Sequence, residues 1–144
     1  MMEPRKNRPA SVLFVCTLNA VRSPMAAALL RAQKGREIYV ESAGVEAGAL
    51  DPLAVEAMAE IGISMAAHHP RSFEELQDGS FDLVIALSPE AEAHALELGR
   101  KSATQIEHWP TMDPTAMEGT PEQRRSAYRA VRDTLRRRIA ERFG

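Results

Sequence analysis

The chain of 144 residues is poor in sulfur nucleophiles: it has one cysteine, Cys16. A lone cysteine rules out an internal disulfide and points to a reducing compartment. No apolar run is long enough for a membrane span or a secretory leader, and Met1 to Pro9 are polar and basic. The expectation is therefore a cytoplasmic protein with a flexible arm at residues 1–10 and one domain at residues 11–144. Charge of one sign is also lacking. The net charge is -2, so composition makes no case for a nucleic acid or a membrane as partner. His69, His94 and His108 show no ligand spacing, so no metal site is expected. Internal repeats, low-complexity segments and linkers are absent as well. Oligomeric state is not legible.

What is present is an ordinary globular composition, 44% hydrophobic and 26% charged, with length enough for a real core. The chain is organised around Ser11 to Pro24. Ser11-Val12-Leu13-Phe14-Val15 reads as a short buried strand. Cys16 opens the polar, small-residue stretch that follows. From Pro24 to Ala32 the pattern is helical, with Ser23 as the expected N-cap and Pro24 as the first helical residue.

A loop that curls into a helix N-terminus aims several backbone N–H groups at one spot and adds the positive end of the helix dipole. An anion binds there. Five residues separate Cys16 from Arg22, so both side chains can address that anion. The same field favours thiolate over thiol. The backbone amides of Thr17, Leu18, Asn19, Ala20, Val21 and Arg22 are the expected anion-binding groups. Asn19 suits a left-handed position in such a loop.

Further on, Glu37 to Glu41 reads as a second strand, followed by a loop from Ser42-Ala43-Gly44 to Leu50. Asp51-Pro52 opens a second helix that Gly62 stops, and Ser72 to Glu75 has the form of a capping box. Phe81 to Leu87 is a third strand, Ser88-Pro89 starts a third helix, and Thr104 to His108 is a half-polar edge strand. Thr120-Pro121 opens a long last helix with Tyr128, Val131, Leu135, Ile139 and Phe143 on one stripe. The arginines along that helix, from Arg124 to Arg138, read as a solvated face laced with acidic neighbours. Trp109 reads equally as core or as pocket wall. Strands alternating with helices imply an α/β fold, a four-stranded parallel sheet with helices on both faces. Ligands bind such sheets at the carboxyl ends of the strands. Cys16, the Ser42 segment and Asp113 all lie there.

Cys16-x5-Arg22-Ser23-Pro24 after a strand, then Ser42-Ala43-Gly44, then a late Asp113-Pro114, resembles the low-molecular-weight protein tyrosine phosphatase family from Val12 to Phe143. The resemblance implies a phosphatase-type phosphate loop after strand 1 and a phosphate monoester hydrolase that needs no metal or cofactor. It implies Cys16 as nucleophile, Arg22 as phosphoryl clamp and Asp113 as general acid. The substrate would be a phosphotyrosine protein or a small aryl phosphate. Asn19, Ser23, Ser42 and His68 match the residues that support the family's loop. Read from the residues alone, Ser42 and His68 are equally well ordinary polar residues. Asp51-Pro52 is a second aspartate–proline pair; its ready capping role favours Asp113 as the acid. Three positions depart from the family: Leu18 where glycine is usual, Val21 where a second cysteine is usual, and Thr115 where tyrosine is common. The first bears on the pocket mouth, the second removes a redox-protecting thiol, and the third bears on the hold over an aromatic substrate. The segment from His108-Trp109-Pro110 through Asp113-Pro114 to Val131-Arg132-Asp133 is similar to the tail of arsenate reductases of the same fold. With one thiol, this chain would need an external thiol for that reaction. A non-catalytic phosphate-binding module is the remaining alternative.

Overall fold

The computed structural model describes residues 9–76, 80–100 and 102–144. Four parallel strands, β1 (Ser11–Cys16), β2 (Tyr39–Gly44), β3 (Leu83–Ala86) and β4 (Gln105–His108), stand in the order β2-β1-β3-β4. The helices are α1 (Arg22–Lys34), α2 (Pro52–Ala59), α3 (Pro89–Gly99) and α4 (Pro121–Phe143). The chain goes out to one side of β1 for β2 and returns to the other for β3. The carboxyl ends of β1 and β3 are therefore the switch point where such sheets bind ligands. The sequence-based expectation of a four-stranded parallel sheet flanked by helices holds.

The two-residue period of β1 sorts its side chains between two cores. Val12, Phe14 and Cys16 pack with Met25, Leu30, Met58, Tyr128, Leu135 and Ile139, the apolar faces of α1, α2 and α4. Leu13 and Val15 face the other way, against Val84, Ala91 and Ala95 under α3. Each large side chain so buried contributes about 1.5–3 kcal/mol. All five stripe residues of α4 are buried.

Local signals explain most boundaries. Asp51 caps α2 and Ser88 caps α3, each followed by proline in the first turn. Thr120 and Gln123 form a capping box at the start of α4. After α2 the chain reverses at Gly62, where φ is +80°, as the Ile63 N–H returns to the Met58 carbonyl at 3.0 Å.

Three expectations are corrected. The second strand begins later and runs further than 37–41. The N–H groups of Glu37 and Ile38 turn back to the Lys34 carbonyl at 2.9 Å, and Ser42-Ala43-Gly44 pair in register with Phe14-Val15-Cys16. The last residue of the expected arm, Ala10, is tied down. Its N–H donates to Asp82 Oδ2 at 2.7 Å and its carbonyl accepts from Tyr39 N at 2.9 Å. Residues 1–8 of that arm lie outside the described residues. Arg132 is not on a solvated face: it is buried, donating to the Ala57 carbonyl at 2.8 Å and to Glu60 at 2.9 Å. Arg129 and Arg132 together hold the Glu60 carboxyl down to about 2. They fasten α4 to the end of α2. No described helix is long and apolar enough to cross a membrane.

Candidate active site

The loop between β1 and α1 is held from behind. Every carbonyl from Cys16 to Val21 has a donor. Val45 N donates to Cys16 O at 3.0 Å, Glu46 N to Thr17 O at 2.9 Å, Gly48 N to Leu18 O at 2.8 Å and Asp51 N to Ala20 O at 3.4 Å. His68 Nε2 meets Asn19 O at 3.1 Å, and Met25 N closes on Val21 O at 3.1 Å in the first turn of α1. In a trans peptide the carbonyl and the following N–H point in opposite directions. Carbonyls engaged outward therefore turn the N–H groups of Thr17 to Arg22 inward. The first turn of α1 holds no acidic residue, so its positive end adds to theirs. The result is a concave nest of main-chain donors.

Asn19 is the hub of the loop. It is fully buried, with φ at 56°, the left-handed region that asparagine tolerates. Its Nδ2 donates to Ser23 Oγ at 2.8 Å and to Ser42 Oγ at 2.9 Å, while its Oδ1 accepts the Arg71 N–H at 2.9 Å. Sequence expected Ser23 to cap α1. Instead Arg22 is already helical and the Ser23 side chain makes no cap. Its hydroxyl is buried 3.0 Å from Cys16 Sγ, with Ala43 O at 3.4 Å. Because Asn19 donates to that oxygen, the hydroxyl proton is left for an acceptor, and sulfur is the nearer one.

Cys16 is 2% exposed, yet it lines a cavity of about 710 Å³. Around it stand Leu18, Arg22, Leu50, Asp51, Glu90 and Asp113. The Arg22 guanidinium is aimed by the Thr111 carbonyl, which accepts from it at 3.0 Å, and lies 3.9 Å from Asp113 Oδ2. Asp113 is 46% exposed on its side chain, so this pair sits near the aqueous limit of about 1 kcal/mol and is readily exchanged for another anion. Asp113 Oδ1 is occupied by the N–H of Thr115 at 3.0 Å and its hydroxyl at 2.7 Å. Leu18 is half-exposed at the mouth and packs over Gly48, where a Cβ would lie 3.0 Å from its own.

The structure thus brings Cys16, Arg22 and Asp113 to one cavity, with Ser23, Ser42 and His68 joined through Asn19. His68 is half-buried. Burial pushes its imidazole below the ordinary range, against the Asn19 carbonyl, which pulls upward; Arg31 and Arg71 add to the lowering. Among the described residues, no group of three or more His, Cys, Asp or Glu could hold a metal ion.

Sequence reasoning passed over several contributors. Arg71 supplies a main-chain donor to Asn19, and its side chain pairs with Glu41 on β2. Thr17 Oγ1 lies 3.1 Å from Ser88 Oγ and 3.2 Å from Glu90 Oε1, which fastens the loop to the start of α3. Gly44 is obligatory as glycine, since a Cβ there would meet Glu46 O at 2.4 Å and Asn19 N at 2.7 Å. Ser88-Pro89 was a visible cap signal near the right edge of the sheet; the Arg71 and Thr111 contributions are main-chain groups and leave no residue signature.

Against known proteins, residues 11–142 match the family described as low molecular weight phosphotyrosine protein phosphatase. The chain is 35% identical over 130 residues to an arsenate reductase of Halalkalibacterium halodurans, covering 89% of this chain and 91% of that one. The YwlE arginine phosphatase of Geobacillus stearothermophilus superposes with a TM-score of 0.76 at 28% identity, over 92% of this chain and 89% of that one. The fold is also that of the Erwinia amylovora tyrosine phosphatase AmsI, with a TM-score of 0.74 at 23% identity over 94% and 91% of the two chains. With the loop, its lone sulfur and these matches together, the chain belongs to the low molecular weight phosphotyrosine protein phosphatase family, a class of cysteine-based phosphatases and arsenate reductases.

Proposed function

We propose that the protein is a phosphate monoester hydrolase of the tyrosine-phosphatase type, working on aryl phosphates through a phosphocysteine intermediate. The supporting observation is the inward ring of amides from Thr17 to Arg22 beside Cys16 Sγ, with the second oxygen of Asp113 facing the same cavity. In this reading the Cys16 thiolate attacks phosphorus in line with the ester oxygen. The S–P bond forms as the P–O bond breaks. Loop amides and the Arg22 guanidinium hold the three equatorial oxygens, where charge accumulates. Asp113 gives its proton to the departing oxygen, then accepts one from the water that attacks the phosphocysteine. Ser23, 3.0 Å from the sulfur, donates to it as it leaves. A nucleophilic thiol of this kind belongs in a reducing compartment, which makes cytoplasm the proposed location.

Among the described residues no aromatic side chain lines the cavity, and the Thr115 hydroxyl is engaged by Asp113. This favours small aryl phosphates over a phosphotyrosine protein as substrate. The test is turnover of a chromogenic aryl phosphate, a phosphotyrosine peptide and phosphoarginine by purified protein, with Cys16→Ser as control. Turnover of the aryl phosphate well above the control is the expected result; rates equal to the control defeat the reading.

A second reading rests on the arsenate reductase relatives. Arsenate has the shape and charge of phosphate, so Cys16 would form an S–As bond with loss of water. Reduction of As(V) to As(III) takes two electrons from two thiols, and this chain supplies one. The other must come from outside. Loss of arsenate in the presence of glutathione, mycothiol or glutaredoxin is the measurement. Phosphate or vanadate binding with neither activity would leave a non-catalytic module.

A further inference from the structure

One wall of the cavity is the segment Ala49 to Pro52. Two main-chain bonds tie it to the phosphate loop, one from the residue just before it, Gly48 N to Leu18 O at 2.8 Å, and one from within it, Asp51 N to Ala20 O at 3.4 Å. The second is long, so the wall needs another anchor. It has one in the Asp51 side chain. Oδ1 accepts the Leu53 N–H at 2.9 Å, and Oδ2 accepts the Tyr128 hydroxyl at 2.5 Å. Tyr128 comes from α4, with its ring fully packed in the core between the sheet and that helix.

A phenylalanine would fill that core space equally well, so packing does not account for the hydroxyl. Its electrostatic setting does. Burial first, then the hydrogen bond and charge of Asp51, push the Tyr128 phenol far above its ordinary value; Asp113 adds to the shift. The hydroxyl therefore stays protonated and remains a donor to Asp51. Its hydrogen bond goes to Asp51 on the cavity wall.

We infer that Tyr128 is a positioning residue for substrate: its hydroxyl fixes Asp51, and through it the 49–52 wall that receives the organic group carried by the phosphoryl moiety. The inference rests on the phosphatase reading for its meaning, but a binding measurement tests it whether or not turnover occurs. The probes are inorganic phosphate, which needs only the nest, and benzylphosphonate, which needs nest and wall. Dissociation constants are measured by calorimetry for wild type, Tyr128→Phe, Asp51→Asn and the double variant, each checked for folding by circular dichroism.

Loss of one hydrogen bond to a carboxylate predicts about threefold to tenfold weaker benzylphosphonate binding by Tyr128→Phe, and less than about twofold for phosphate. The double variant should lose no more than the worse single variant, because both break the same contact. Equal losses for the two probes, no loss for benzylphosphonate, or additive losses in the double variant would overturn the inference. Absence of wild-type turnover on aryl phosphates, by contrast, defeats the phosphatase reading and leaves these binding outcomes to be judged on their own.

Discussion

Asp51-Pro52 and Asp113-Pro114 are the same dipeptide, and each borders the cavity that Cys16 lines. Each aspartate also makes the same local bond, its Oδ1 accepting the N–H two residues on, at 2.9 Å for Asp51 and 3.0 Å for Asp113. They part at the second oxygen. In Asp51 it receives the Tyr128 hydroxyl at 2.5 Å, whereas in Asp113 it faces Arg22 at 3.9 Å. A turn motif thus specifies a cap in both places, and tertiary surroundings decide which carboxyl keeps an oxygen for chemistry. Asp51 has none to spare, which is the physical support for Asp113 as the proton donor.

Experiments can break or sharpen this contrast. The floor comes from Cys16→Ser, which should lower aryl phosphate turnover by about a thousandfold or more, since no other thiol can substitute. Next is Asp113→Asn. We expect kcat/KM, which reports the step that expels the leaving group, to fall by roughly a hundredfold or more for leaving groups of high pKa and to change little for nitrophenolate, giving a steeper dependence of kcat/KM on leaving-group pKa. If Asp51→Asn shows that steepening and Asp113→Asn does not, the assignment of the two carboxyls is reversed. Asp51→Ala should instead register in stability. Losing the cap and leaving the Tyr128 hydroxyl without its acceptor costs about 2–3 kcal/mol in urea unfolding, against about 1 kcal/mol for Asp113→Ala.

The smallest effect is in pH, and it keeps acid loosening of the loop from being credited to either aspartate. The folded-state pKa of His68 lies below its unfolded value, mainly through burial. Above the unfolded value, about 6.5, both states leave the ring neutral and nothing is lost. As pH falls below that value the unfolded chain takes up a proton that the folded chain refuses, so stability declines toward the folded pKa. His68→Gln, which keeps a donor for Asn19 O, should flatten the decline in urea midpoint between about pH 7 and pH 5. An unchanged slope would place the titration elsewhere.

The sheet and the strand–loop–helix at Cys16 were legible because their signals are side-chain patterns: apolar runs, aspartate or serine before proline, one cysteine five residues from an arginine. Asn19 was legible as a left-handed residue, but its three side-chain bonds depend on groups up to 52 positions away. Ser23 carried a true cap signal, serine before proline, and tertiary structure overrode it by drawing the hydroxyl to the sulfur. Ile38 looked like strand and was taken into a turn. Arg132 looked like surface, because a charge run in sequence does not reveal which member has a carbonyl and a carboxylate waiting beneath it. Arg71 and Thr111 act through peptide groups, which every residue possesses and no sequence pattern marks.

Gly44 gives the site an unusual point of fragility. Main-chain atoms crowd it from two directions, Glu46 on its own segment and Leu18-Asn19 on the loop, all within 2.8 Å of where a methyl would sit. None of these neighbours is a flexible side chain that could swing aside. The smallest addition anywhere on the strand beside the loop, one carbon, would have to push the nest itself out of shape. A position that carries no functional group at all can thus disarm the centre.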